Sequence, residues 1–81
     1  MTGGAPGQVR WRCRRGIKEL DVLLARWLER RWSGAGPEAR AAFLRLLELP
    51  DPQLFDWLLQ GIRPADAGIA AIVDDILQPR D

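Results

Sequence analysis

Glycine and proline cut this chain into short stretches, and the readable stretches repeat their apolar residues every three or four positions. That punctuation constrains the fold more than any other feature. The breaks fall at Gly16, at Ser33-Gly34-Ala35-Gly36-Pro37, at Leu49-Pro50-Asp51-Pro52, at Gly61, at Pro64 and at Pro79. No strand-like alternation stands out between them, and steps of three and four belong to helices that bury one face. The expected architecture is all-α: a compact bundle of five helices, one short leading helix followed by four amphipathic ones. Tight connections favour antiparallel neighbours.

Residues 9–15 are expected to form the leading helix, ended by Gly16. Ile17, Leu20, Leu23, Leu24, Trp27 and Leu28 then mark a helix over residues 17–32. The third covers 37–48, opened by Pro37, with Ala39, Ala42, Phe43, Leu46 and Leu47 inside. Leu49-Pro50 closes it, because the residue before proline avoids the helical region. Asp51 is read as the cap of the fourth helix and Pro52 as its first residue. Leu54, Phe55, Leu58 and Leu59 form its buried face up to Gly61, a left-handed cap. Pro64 and Asp66 start the last helix, Ile69, Ile72, Val73, Ile76 and Leu77 face inward, and Pro79 stops it. Trp27 falls on a core stripe, whereas Trp32 and Trp57 sit nearer helix edges, where either can be exposed.

At 81 residues there is room for one domain, assigned to residues 9–78, behind a disordered tail at 1–8. A hydrophobic fraction of 47% with four tryptophans suits a folded globule. Net charge is only +1, but residues 1–32 carry eight Lys/Arg against three Asp/Glu, and residues 33–81 four against eight. A basic end of this kind calls for an acidic partner. The single cysteine, Cys13, excludes an internal disulfide, and the lack of histidine removes the usual zinc ligands and the commonest general base. The apolar runs are too short and too broken by charge to span a bilayer, so no membrane contact is expected. Met1–Gly7 reads as a loose tail and not as a signal peptide, and the expected setting is the cytoplasm.

Chemistry concentrates around Gly16. Arg10, Arg12, Arg14 and Arg15 crowd up to it, with Trp11 and Cys13 among them and Glu19 and Asp21 close behind. Gly16 marks a left-handed or closely packed turn that tolerates no β-carbon. If it caps the second helix, Glu19 is the third helical residue and can reach back to the cap N–H. Trp11 is either partly core or an interface anchor. The surrounding guanidinium groups favour the Cys13 thiolate, which makes a redox role conceivable, but with no resolving cysteine the expected role is a small, half-buried packing residue. A catalytic reading fares poorly, because Glu19 and Asp21 do not face each other along a helix and no nucleophile–base set is present. No glycine-rich phosphate loop is present either.

The run Trp11-x-Cys13-Arg14-Arg15-Gly16-Ile17-x-Glu19-Leu20-Asp21 resembles the signature of the FAD assembly factors of succinate dehydrogenase, whose centre is an RGxxE motif. A second match follows about thirty residues on: Leu46-Leu47-Glu48, then Asp51-Pro52-x-Leu54-Phe55-x-Trp57-Leu58, similar to the family's DPxLFxWL segment. Gly61 and Pro64-Ala65-Asp66 continue in register. Ile17 stands where methionine is usual, and Gln53 where an acidic residue is common. The resemblance implies a five-helix domain that binds the flavoprotein subunit of succinate dehydrogenase, and in bacteria often that of fumarate reductase. It implies promotion of covalent FAD attachment to a histidine of that client. The factor itself is then not an enzyme, holds no cofactor stably and acts as a monomer.

On that resemblance the client-binding residues are Arg15, Gly16 and Glu19, extended by Trp11, Arg14 and Asp21. Arg15 is expected to pair with a client carboxylate or with FAD pyrophosphate. Glu19 is expected to orient that arginine or to accept a client N–H. The alternatives are a small basic nucleic-acid-binding regulator or antitoxin-like protein, and a thiol-dependent redox protein. Only one helix is basic and no second helix has a base-reading pattern, so nucleic acid is not the expected partner.

Overall fold

The structure is a computed structural model that describes residues 6–78. It has five helices: α1 (Gly7–Arg12), α2 (Lys18–Arg31), α3 (Pro37–Leu47), α4 (Asp51–Leu58) and α5 (Ala67–Leu77). Among the described residues there is no strand. The disordered tail expected at residues 1–8 lies outside the described residues as far as residue 5, while Gly7 and Gln8 already belong to α1.

The amphipathic stripes became the core. Leu20, Leu24, Trp27 and Leu28 of α2 meet Ala42, Phe43, Leu46 and Leu47 of α3 and Ile69, Ile72, Val73 and Ile76 of α5, with Leu54 and Leu58 of α4 closing one end. Helix α5 packs on α2, α3 and α4, which makes it the hub of the bundle. Phe55, Leu59 and Ala39, expected inside, are half-buried, and Leu77 is exposed.

Burial settles the open question at Trp32. It is buried, not exposed, because its ring meets Trp27 edge-on at 6.2 Å and Phe43 at 6.4 Å. Arg40 covers it with a guanidinium 4.9 Å from the ring centroid. The same guanidinium donates to the Trp32 and Ser33 carbonyls at 2.9 and 3.2 Å, which serves the bare end of α2. Trp27 stacks on Phe43 at 4.3 Å, and its indole N–H donates to Asp75 at 2.6 Å. Trp57 is half-buried.

Two helix ends match their sequence signals. Gly61 has φ +79° after α4, where Gln60 N–H donates to the Phe55 carbonyl and Ile62 N–H to the Asp56 carbonyl. Asp66 caps α5 by accepting from the Ile69 N–H at 2.9 Å. Pro79, expected to stop α5, lies outside the described residues.

Two others differ. Helix α1 ends at Arg12, three residues before the expected 15, and tightens through bonds from Cys13 N–H to Arg10 and from Arg14 N–H to Trp11. The cap of α4 is Pro50, and Asp51 is the first helical residue with its carboxylate turned elsewhere. Both differences have one cause, the position of Arg15.

Candidate docking site

Between α1 and α2 the chain turns a corner at Gly16, whose φ of +92° lies in the left-handed region that favours glycine. A β-carbon there meets nothing within 4 Å. Of the two reasons for a glycine offered by the sequence, backbone conformation therefore applies and crowding within the chain does not.

Arg15 does not point outward. Its side chain is 13% exposed. Its Nε–H donates to the Asp51 carboxylate at 2.8 Å, Nη1 donates to the Leu47 carbonyl at 2.7 Å, and Nη2 to the Leu49 carbonyl. Those carbonyls belong to the end of α3, where helical C=O groups lack partners and the helix dipole favours a cation. The guanidinium fork thus joins the α1–α2 corner to the α3–α4 corner. Three of its five N–H donors are engaged inside the molecule, so pairing of this side chain with a partner's anion, as expected from the sequence, requires it to leave those acceptors.

Glu19 is a correction. It neither orients Arg15 nor reaches back to a cap, because the residue before α2 is Ile17 and Glu19 is exposed. The back-reaching carboxylate is Asp21, one turn into α2. It accepts from the Arg15 N–H at 2.7 Å and from the Gly16 N–H at 3.3 Å. This explains the early end of α1, since the Arg15 N–H is taken by a side chain from α2 and not by a helical carbonyl.

Trp11 is 71% exposed, so of its two readings the core one is excluded. Arg14 and Gly16 are also exposed. Arg10, Trp11, Arg14, Gly16, Asp21 and Val22 line a shallow groove between α1 and α2. A second groove beside it is lined by Lys18, Glu19, Val22, Leu23 and Leu59. Val22, 55% exposed, is shared by both and forms the ridge between them. Sequence reasoning missed Val22, although its place off the inward stripe of α2 was the signal.

Cys13 follows its packing reading and not the redox one. The thiol is only 2% exposed and packs with Val9 to hold α1 against the core. Burial pushes its pKa up to about 11, against the opposing pull of Arg15 and Arg10. The thiolate is disfavoured at neutral pH, which removes the redox alternative's nucleophile. Among the described residues no group of three or more His, Cys, Asp or Glu could hold a metal ion. No helix there is long and apolar enough to cross a membrane.

The molecule is therefore a small helical protein whose distinctive surface is a braced glycine corner flanked by two shallow grooves. Residues 7–80 match the family described as "Flavinator of succinate dehydrogenase", and the chain belongs to that family. It is similar to the FAD assembly factor SdhE of Coxiella burnetii, 39% identical over 74 residues covering 91% of this chain and 90% of that protein. It is also similar to the FAD assembly factor SdhE of Yersinia pseudotuberculosis, 35% identical over 74 residues covering 91% and 83%.

Proposed function

We propose that this protein binds the flavoprotein subunit of succinate dehydrogenase and promotes covalent attachment of FAD to it. Family membership across residues 7–80 carries the reading, and both relatives named above are FAD assembly factors. The Gly16 corner supplies the docking face. Gly16 lets a partner's backbone come close, Trp11 and Val22 offer apolar surface, and Arg14, Lys18 and Glu19 offer charge around them. Arginine and tryptophan at such a site fit interface energetics.

The factor acts without making or breaking bonds. The flavin-accepting histidine belongs to the client, consistent with a chain that has none. FAD is held by the client and is the group attached, not a resident cofactor of this chain. By binding one arrangement of the client better than others, the factor raises the population in which flavin and histidine are correctly oriented. The flavoprotein of fumarate reductase is a second proposed client, the working unit is a monomer and the setting is the cytoplasm. Neither the family nor the relatives' names support the nucleic-acid-binding or antitoxin-like alternative.

The test is co-expression of the flavoprotein subunit with and without this chain, reading covalent flavin by fluorescence in a denaturing gel. A pull-down with wild type and Gly16→Arg accompanies it. The expected result is covalent flavin that depends on the chain, and a Gly16→Arg variant that stays folded but no longer captures the subunit. Equal covalent flavin without the chain overturns the function, and retained capture by Gly16→Arg overturns the docking face.

A further inference from the structure

We propose that Asp51 is a positioning residue for docking: by holding Arg15 from α4, it sets how the Gly16 corner is presented, so that two motifs far apart in sequence work as one device. The proposal rests on the reading that this corner meets the flavoprotein subunit.

The corner cannot hold itself. Helix α1 has six residues, well below the length at which an isolated helix persists in water. The segment from Cys13 to Ile17 is not helical. Bonds from two sides fix it. Asp21 of α2 holds the backbone N–H groups of Arg15 and Gly16. Asp51, 36 residues after Arg15 in sequence, holds the Arg15 side chain together with the Leu47 and Leu49 carbonyls. Arg15 cannot swing out to a partner without abandoning all three acceptors. An arginine at this place affects docking through where it puts its neighbour.

The guanidinium fork is also specific. Nε, Nη1 and Nη2 each reach a different acceptor, a geometry that an ammonium on a flexible stem does not reproduce. Positioning therefore requires arginine, whereas simple charge attraction to a partner requires only a cation. Asp51, on another helix and partly exposed, should matter to binding through the oxygen that holds Arg15.

The experiment measures the Kd of the flavoprotein subunit for wild type, Asp51→Ala, Arg15→Ala, the double variant and Arg15→Lys. Each is held at a temperature where circular dichroism shows it fully folded, so that a role in stability alone leaves Kd unchanged. Asp51→Ala is expected to weaken binding about tenfold, a coupling typical of groups sharing one hydrogen-bond network. Adding it to Arg15→Ala is expected to change Kd less than twofold, and Arg15→Lys to bind as poorly as Arg15→Ala. Wild-type affinity in Asp51→Ala, losses that multiply in the double variant, or retained binding by Arg15→Lys each overturn the proposal. Should Arg15→Ala not fold, Asp51→Ala and Asp51→Asn decide, and wild-type Kd in both overturns it. A wild-type protein that binds beside an indifferent Asp51→Ala defeats this proposal alone, whereas a wild type that does not bind defeats the docking reading beneath it.

Discussion

Substituting Gly16 separates backbone conformation from crowding. Its φ is +92°, yet the space around a β-carbon is open to 4 Å. Gly16→Ala therefore carries no clash, only the cost of holding an L-residue in the left-handed region, about 1–2 kcal/mol. Alanine also narrows the unfolded ensemble, which offsets roughly 0.4–1 kcal/mol. The expected net loss is about 1 kcal/mol, and in a domain of this length that lowers Tm by about 4–8 °C. Gly16→Asn should fall between glycine and alanine, because asparagine tolerates positive φ better than other side chains. Urea unfolding followed by circular dichroism reads both, with an unchanged slope as evidence that only stability moved. Alanine equal to wild type means that the corner relaxes to negative φ, and a loss above about 3 kcal/mol means that a side chain does collide there. Either result refutes the conformational account. It also removes the ground for expecting Gly16→Arg to be folded, and hence for assigning its lost binding to obstruction at the surface.

Two further outcomes follow from titratable groups. With its pKa pushed up to about 11 by burial, Cys13 should react with thiol reagents at neutral pH about a hundredfold more slowly than an ordinary thiol; modification of the native protein at a free-thiol rate contradicts the packing described. Its raised pKa also means that the stability it contributes is complete below about pH 9, the ordinary value, and is lost as pH rises toward 11, which alkaline unfolding of wild type against Cys13→Ala checks. The Asp66 pKa is lowered, first by the Ile69 N–H it accepts and then by Arg45, so its stabilisation is present above the ordinary carboxylate range and disappears as pH falls through the lower folded value. Asp66→Asn should accordingly flatten the acid side of the stability curve, and an unchanged acid limb rules out the cap as a contributor.

What could be read in the sequence and what could not divides along the distance over which each feature is decided. Helical periodicity is local, so the stripes of α2, α3 and α5 mark most of the core residues without reference to any contact. The Asp66 cap and the left-handed Gly61 are likewise decided within one turn of chain. Arg15 is decided by partners 32 to 36 residues away, and every error near it followed from treating it as a surface cation. With the Arg15 side chain turned inward and its N–H held by Asp21, α1 ends at Arg12, Asp51 is the side chain's partner and not a cap, and the carboxylate that braces the turn is Asp21, not Glu19. Trp32 stays undecided in the sequence for the same reason, since Arg40 and Phe43 cover it from α3. The motif residues then separate by task. Arg15, Asp21 and Asp51 make the bonds that hold the corner, while Gly16, Glu19, Trp11 and Arg14 are left exposed. Conservative changes in the first set should therefore affect binding through geometry, and those in the second through contact.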